Sequence, residues 1–249
     1  NHLAGGTETV SDASAEDAAN AALFSRDDLS IAGSGTLTVD GTVADGITSK
    51  DDLVIVGGTI QVTAIDDGIR GKDSVTITDG TITVDVGGDG ITSDDDGGTD
   101  DVGLVTITGG TLAITADTDG IDATNTASID GGTITIDAGD DAIHADARLS
   151  VSAGSIDITR SYEGLESMII EISGGDISIV SSDDGINVAG GNDDSGRGGM
   201  GGGDTFAASS DMYAAISGGT LVVDAGGDGL DSNGSLLVTG GTIVVNGPT

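Results

Sequence analysis

Several residue types are scarce or absent in this chain of 249 residues. It has no cysteine and no tryptophan, one proline, and two residues each of phenylalanine and tyrosine. The absence of cysteine excludes disulfide bonds and thiol chemistry. An aromatic fraction of 2% also excludes a core built on ring packing, so any core must be aliphatic.

Basic residues are scarce as well. The chain has 7 Lys and Arg against 43 Asp and Glu, which gives a formal net charge of −36. Binding to nucleic acid or to an anionic membrane depends on clustered basic residues, so neither is expected as a partner. No segment approaches the ~20 apolar residues of a membrane span, so membrane insertion is not expected either. The first residues, Asn1-His2-Leu3, do not resemble a signal peptide, and a fragment or processed form is expected.

What the chain does contain is carboxylates and β-branched residues. A hydrophobic fraction of 36% is too high for a disordered acidic chain. Carboxylates at this density favour Ca²⁺, a hard cation that takes oxygen ligands, as a cofactor. The alternative is an acidic surface that only maintains solubility.

An internal repeat of about 22 residues organises the sequence. The first marker is a triplet: an acidic residue, then usually glycine, then an aliphatic residue. It recurs at Asp45-Gly46-Ile47, Asp67-Gly68-Ile69, Asp89-Gly90-Ile91, Asp119-Gly120-Ile121, Asp141-Ala142-Ile143, Glu163-Gly164-Leu165, Asp184-Gly185-Ile186 and Asp228-Gly229-Leu230. The second marker, a small residue followed by glycine and usually threonine, repeats in parallel at Gly35, Gly58, Gly80, Gly110, Gly132, Gly154, Gly175, Gly219 and Gly241.

Apolar residues alternate within each repeat, as in Leu53 with Ile55 and Ile60 with Val62, followed by a single Ile69. Short period-two runs separated by Gly and Asp indicate strands. The sequence therefore predicts an all-β fold: a right-handed, single-stranded parallel β-helix with three short strands per coil and about nine coils. Residues 1–28 are predicted to form an N-terminal loop or partial cap, and residues 29–249 the β-helix.

Two insertions interrupt the repeat, near residues 94–101 and 190–211, and both are expected to leave the solenoid at a corner. Uncovered ends of a solenoid expose strand edges, so further sequence or end-to-end self-association is expected to cover the C-terminal edge.

The acidic corners predict a metal site. A second polar residue often follows three positions after the triplet acid, and stacking would place carboxylates of successive coils about 5 Å apart, where like charges repel unless a cation lies between them. The predicted Ca²⁺ ligands are Asp66, Asp67, Asp89, Asp117, Asp119, Asp122, Asp140, Asp141, Glu163, Glu166, Asp183, Asp184, Asn187, Asp228 and Asp231. His144 is interpreted as a corner residue, neither a ligand nor a catalyst.

One corner differs from the others, because it combines Arg160, Tyr162, Glu163 and Glu166. Arg160 and Tyr162 are the predicted carbohydrate contacts. A lyase would use a base such as Arg160 beside Ca²⁺, but an Arg among carboxylates is more often an ion-pair partner, and no catalytic residue is predicted.

A column of threonines, Thr36, Thr59, Thr81, Thr111 and Thr133, is the only feature compatible with ice binding. Threonine favours strands on packing grounds alone, so the column needs no function.

Asp140-Asp141-Ala142-Ile143-His144, Ser161-Tyr162-Glu163-Gly164-Leu165-Glu166 and Ser182-Asp183-Asp184-Gly185-Ile186-Asn187 carry a family resemblance. They resemble bacterial surface proteins described as carbohydrate-binding domain-containing, among them clostridial cellulose- and polygalacturonate-binding β-helix proteins. The resemblance implies a pectate-lyase-like β-helix, bound calcium, and an extracellular, secreted or cell-surface location. It also implies binding to acidic or cellulosic polysaccharide without cleavage. Because aromatic residues are few, an acidic sugar held through Ca²⁺ is expected in preference to stacking on rings. The alternatives are a calcium-stabilised structural rod, filament or adhesin, and a polysaccharide lyase.

Overall fold

The computed structural model describes residues 1–4, 20–95, 97, 99, 101–189 and 210–248. These residues contain only strands, turns and bends, and no helix among them is long and apolar enough to cross a membrane. The insertion predicted near residues 94–101 lies partly outside the described residues, and the insertion predicted at 190–211 lies almost wholly outside them.

The strands form two parallel sheets that run the length of a solenoid. The smaller sheet has nine strands, one per coil, in the order in which they occur along the chain. They are β2 (Ala21–Ser25), β5 (Asp45–Ser49), β7 (Ile69–Gly71), β9 (Ile91–Ser93), β12 (Ile121–Ala123), β14 (Ile143–Ala145), β16 (Leu165–Ser167), β19 (Ile186–Val188) and β22 (Asp231–Ser232).

The larger sheet has 15 strands and supplies the other two sides of each coil. They are β1 (His2–Ala4), β3 (Leu29–Ile31), β4 (Thr36–Gly41), β6 (Asp52–Ala64), β8 (Ser74–Val86), β10 (Leu104–Ile107), β11 (Thr111–Ala116), β13 (Thr126–Ala138), β15 (Arg148–Arg160), β17 (Ile169–Ile172), β18 (Asp176–Ser181), β20 (Tyr213–Ile216), β21 (Thr220–Ala225), β23 (Ser235–Val238) and β24 (Thr242–Asn246). We call the side that precedes the small-Gly marker the first segment, and the side that follows it the second segment.

Most long strands pass through a bend. The register between β6 and β8 shifts on both sides of Val56, where the first segment gives way to the second. In the coil of β10 and β11 the same two segments are separate strands. Three strand segments per coil and about nine coils confirm the predicted parallel solenoid.

The glycines of the second marker stand at that bend. Eight of the nine, Gly35 being the exception, have positive φ values, from 79° at Gly219 to 127° at Gly80. Glycine enters this backbone region without the steric cost that other residues incur, which explains why the marker recurs.

The core is a set of stacked aliphatic columns. Leu53, Ile55, Ile60, Val62 and Ile69 are all 1% exposed or less. Each lies in register with an equivalent residue of the neighbouring coil, as Ile55 does with Ile77. The predicted alternation therefore assigns the inward positions correctly.

The described part of residues 1–28 contains two strands of the solenoid sheets. His2–Ala4 pairs with β4, and Ala21–Ser25 pairs with β5. Between Ser93 and Leu104 and between Val188 and Tyr213 the connections are long. Both follow a strand of the smaller sheet, β9 and β19 respectively.

Candidate functional site

Two columns of polar residues lie side by side along the smaller sheet, and we call them the polar seam. The first column is the acid of each triplet. The second column is the residue three positions later, which is aligned from coil to coil in the strand register. In chain order the pairs are Asp45 and Thr48, Asp67 and Arg70, Asp89 and Thr92, Asp119 and Asp122, Asp141 and His144, Glu163 and Glu166, Asp184 and Asn187, and Asp228 and Asp231.

The glycine of the triplet allows successive coils to approach closely at the seam. Gly120 N donates to the Asp141 carbonyl at 2.9 Å, and Gly90 N donates to the Asp119 carbonyl at 2.8 Å. A Cβ atom at Gly120 would lie 2.6 Å from the Ala142 carbonyl oxygen and 2.5 Å from Cγ2 of Ile136. A larger side chain there would force the coils apart, so the glycine fixes the acid in its column.

Backbone N–H groups stabilise several carboxylates of the seam. Oδ1 of Asp67 accepts from Asp89 N at 3.0 Å, and Oδ1 of Asp119 accepts from Asp141 N at 2.8 Å. Oδ1 of Asp184 accepts from Asp228 N at 2.6 Å. The sequence argument weighed a cation between stacked carboxylates against a solvated acidic edge, whereas the structure provides the N–H of the next coil as a partner.

These hydrogen bonds only partly offset burial and charge repulsion. Burial, followed by repulsion from Asp89, raises the pKa of Asp67 to about 7. Burial, followed by repulsion from Asp89 and Asp122, raises the pKa of Asp119 to about 8. The seam therefore holds carboxyl groups that release their protons only near neutral pH, unless a cation stabilises the charged form.

Two positions of the seam carry their own cation, and the sequence argument did not identify either. Nη1 of Arg70 lies 3.6 Å from Oδ2 of Asp45, and its Nη2 donates to Asp94. Nδ1 of His144 lies 2.9 Å from Oδ1 of Asp122. The available signal was the register, because both residues stand three positions after a triplet acid.

A third position of the seam holds three buried acids, and no N–H or hydroxyl group in the described part of the chain donates a hydrogen bond to one of them. Asp141, Glu163 and Glu166 are 0%, 4% and 5% exposed, and one oxygen from each lies within 4.8 Å of the others. Among the described residues, no N–H or hydroxyl group donates to either carboxylate oxygen of Asp141 or to Oε2 of Glu166, and the Asp141 and Glu166 carboxyl groups face each other. Glu163 accepts from Nδ2 of Asn187 at 2.8 Å. Burial, followed by the neighbouring carboxyl groups, raises the pKa of Asp141 well above its ordinary range.

This donor set fits a hard cation. Buried polar groups are normally hydrogen-bonded, so bare carboxylate oxygens that converge on one point indicate a missing positive partner. Ca²⁺ takes carboxylate oxygens as ligands. We call Asp141, Glu163 and Glu166 the buried acid cluster.

Three further groups of acidic residues or histidine come equally close together: Asp45 with Asp66 and Asp67, Asp119 with Asp122 and His144, and Asp27 with Asp28 and Asp51. Arg70 contacts Asp45 of the first group, and the second group contains His144 itself. The third lies at a different corner, outside the seam, and the sequence argument missed it.

The remaining predicted ligands take several positions. Asp89, Asp184, Asn187, Asp228 and Asp231 belong to the seam. Asp66, Asp140 and Asp183 directly precede a seam acid along the chain. Asp117 is exposed just after β11 and belongs to neither column of the seam.

The two predicted carbohydrate contacts occupy different environments. Nε of Arg160 donates to Oδ1 of Asp137 at 2.6 Å, and the Arg160 side chain is 59% exposed. Arg160 is therefore an ion-pair partner on the outer surface, as the sequence interpretation favoured. Tyr162 is partly buried beside the seam, where its N donates to the Asp140 carbonyl at 2.7 Å.

Comparisons with known proteins agree with this architecture. A 45-residue stretch is 49% identical to a carbohydrate-binding domain-containing protein of Acetivibrio thermocellus, and covers 18% of this chain and 16% of that protein. The fold is similar to the structure of a polysaccharide lyase-like protein from C. thermocellum in its gadolinium derivative. The TM-score is 0.52 at 21% sequence identity, covering 89% of this chain and 91% of the other. Residues 1–185 match the family model described as carbohydrate-binding domain-containing protein, and the chain belongs to that family.

Proposed function

We propose that this chain is a non-catalytic, calcium-stabilised β-solenoid that binds polysaccharide outside the cell or at the cell surface. Its family supports the polysaccharide partner. The calcium part rests on one observation: the buried acid cluster contains carboxylate oxygens that no donor from the described residues reaches.

Burial assigns the ion a structural role. Asp141, Glu163 and Glu166 are at most 5% exposed. A polymer cannot approach an ion held by these three side chains, so the ion would join two adjacent coils and would not bridge to an acidic sugar. This differs from the expectation of a sugar held through Ca²⁺, and it favours a different surface for polysaccharide binding.

The geometry of Arg160 supports a binding role over a lyase role. A base for proton abstraction must reach the substrate, but the Arg160 guanidinium is bound to Asp137. Incubation with polygalacturonate is therefore expected to release no unsaturated, ultraviolet-absorbing product. Release of that product by the wild type would overturn the non-catalytic assignment.

The net charge of −36 supports an extracellular location, because a carboxylate-rich surface remains soluble at high ionic strength and Ca²⁺ is available there. Secretion of the full-length protein by its native host, measured by fractionation, tests this part.

The calcium proposal is tested by thermal unfolding in EDTA and in excess Ca²⁺ at pH 7.5. The wild type is expected to gain several degrees in Tm with Ca²⁺, and Asp141→Asn is expected to lose most of that gain. Asp157→Asn is the matched control, because Asp157 is exposed on the outer surface of β15. A wild type that does not respond to Ca²⁺, or an Asp141→Asn variant that responds as fully as the wild type, would contradict the proposal.

A second candidate function is a rod that assembles end to end. At the last coil the core columns end in Leu236, Val238 and Val245, which are 46%, 51% and 43% exposed. A further coil, from the same chain or from a second copy, would cover these side chains. Fibres in electron micrographs, together with no retention on any polysaccharide, would support the rod and count against the binding proposal.

A further inference from the structure

One outer face of the solenoid is nearly free of charge in an otherwise acidic protein. It consists of the outward side chains of the first segment, from β10 through β13, β15, β17 and β20 to β23. Exposed and buried positions alternate along these segments up to β20, which identifies the outward positions. Those positions hold Leu, Ile, Thr, Ser, Ala and Tyr, and the charged residues among them are Arg148, Glu171 and, beside the bend of β13, the exposed Asp130. We call this surface the neutral face.

The adjacent outer surface is different. The outward positions of the second segment include Asp137, Asp157, Asp176 and Asp224. An anionic polymer is repelled by such a surface at moderate ionic strength. The neutral face carries only Arg148, Glu171 and, at its edge, Asp130, so a neutral polymer can approach it without an electrostatic cost.

Three side chains form the polar centre of the neutral face. Nη1 of Arg148 donates to Oε2 of Glu171 at 2.6 Å, and the Tyr213 hydroxyl donates to Oε1 of Glu171 at 2.7 Å. Glu171 therefore links a guanidinium group and an aromatic ring that come from strands β15 and β20. Arg148 and Glu171 remain 39% and 40% exposed, and Tyr213 is partly exposed.

This arrangement is held in place before any ligand binds. Tyr213 N donates to the Met168 carbonyl at 3.2 Å, and the strand register aligns Tyr213 with Ile169 on one side and Ser235 on the other. The hydrogen bond from the Tyr213 hydroxyl, against the opposing effect of burial and with help from Arg148, lowers the pKa of Glu171. A rigid, ionised and solvent-accessible group loses little conformational entropy on binding.

We infer that Tyr213, Arg148 and Glu171 form a contact site for an uncharged, hydroxyl-rich polysaccharide. The inference rests on the proposed polysaccharide-binding function and assigns that function a place. Tyrosine presents an apolar ring face beside a polar hydroxyl, which suits the C–H face of a sugar ring. Arg148 has further N–H donors, and Glu171 has further acceptor capacity, for sugar hydroxyls. The guanidinium charge is already compensated by Glu171, so the site offers no uncompensated cation for a uronate.

The test is co-sedimentation of the full chain in Ca²⁺-containing buffer with microcrystalline cellulose, an uncharged polymer, and with insoluble polygalacturonate. The wild type is expected to bind cellulose. Tyr213→Ala and Arg148→Ala are expected to weaken that binding about tenfold, a difference of about 1.4 kcal/mol, while Tyr213→Phe keeps the ring and loses less. Lys72→Ala is the control, because it removes an exposed base that is ion-paired with Asp95 and lies three coils before Arg148. Tm values establish that each variant is folded.

The outcomes are distinguishable. Wild-type protein that binds neither polymer would overturn the proposed function and the site with it. If the wild type binds cellulose and the folded variants Tyr213→Ala and Arg148→Ala bind it equally strongly, the site is overturned and the proposed function stands. Binding to polygalacturonate alone would overturn the assignment of an uncharged ligand.

Discussion

Nδ1 of His144 lies 2.9 Å from Oδ1 of Asp122, the residue aligned with it in the preceding coil. The His144 side chain is only 7% exposed. Burial opposes protonation, but the hydrogen bond to Asp122 and the charges of Asp122, Asp119 and Glu166 outweigh it and raise the pKa of His144 to about 10. At neutral pH His144 is therefore a buried cation of the polar seam.

We predict that His144→Gln lowers the free energy of unfolding by about 2 kcal/mol at pH 7, because it leaves the partly buried carboxylate of Asp122 without its positive partner. Urea denaturation in EDTA measures the difference. His2→Gln is the matched control, since His2 lies 3.3 Å from Asp40 but is 62% exposed, and its loss should cost less than about 1 kcal/mol. Equal effects of the two substitutions would show that the buried position of His144 has no special importance.

Arg70 plays the same part three coils earlier in the smaller sheet. Its guanidinium contacts Asp45, which is 1% exposed, and donates to Asp94. We predict that Arg70→Met destabilises the calcium-free protein by about 3 kcal/mol. Added Ca²⁺ should recover part of that loss, because Asp45, Asp66 and Asp67 then converge without a cation.

The matched control for Arg70 is Arg160→Met, which breaks an exposed ion pair with Asp137 and should cost less than about 1 kcal/mol. Calcium stoichiometry, measured by equilibrium dialysis, separates the two parts of the prediction. If Arg70→Met is destabilised but binds no additional Ca²⁺, the three acids are not a latent cation site.

The sequence predicts the solenoid well because period and alternation depend on single residues in fixed positions. Ile55 and Ile77 occupy the same inward position in adjacent coils. Their spacing in the sequence is enough to predict this. The pairing of acids three residues apart also predicts the two columns of the seam. In contrast, the hydrogen bond from Asp141 N to Oδ1 of Asp119 depends on a side-chain rotamer, which spacing does not specify.

The charged partners within the seam were harder to predict. Arg70 and His144 interrupt a column in which acids were sought, so a search by residue type overlooks them. Tyr213 is displaced from its repeat by the insertion that precedes it. Its alignment with Ile169 becomes apparent only from the strand register.

Two glycines of the same marker provide a test of the bend. Gly132 has φ 90°, and a Cβ atom there would lie 3.1 Å from the Gly109 carbonyl oxygen, whereas a Cβ atom at Gly35 would meet nothing within 4 Å. We predict that Gly132→Ala lowers the free energy of unfolding by about 1–2 kcal/mol. Gly35→Ala should be neutral or stabilising by up to about 1 kcal/mol, because Gly35 lacks a positive φ. Thermal unfolding of both variants at matched pH measures this, and an equal loss at the two positions would refute the role of backbone conformation.

The last prediction concerns pH. The pKa values of Asp67, Asp119 and Asp184 are raised, chiefly by burial, to about 7, 8 and 6. The unfolded value for Asp is about 3.9. The folded protein therefore binds more protons than the unfolded chain between these values, so stability falls as pH rises. The contribution is fully present below pH ~4 and is lost as pH rises through the folded pKa values.

We accordingly predict that the calcium-free protein loses more than about 2 kcal/mol of stability between pH 4.5 and pH 8. The loss should shrink in Ca²⁺, because the cation binds the deprotonated carboxylates and its stabilising effect grows with pH. Urea denaturation across this range, with EDTA or with Ca²⁺, measures both curves. Repeating the EDTA series in 1 M NaCl screens repulsion among surface charges and leaves the buried contribution. A flat EDTA curve at high salt would show that the seam carboxylates titrate normally, and it would remove the electrostatic argument for a cation between the coils.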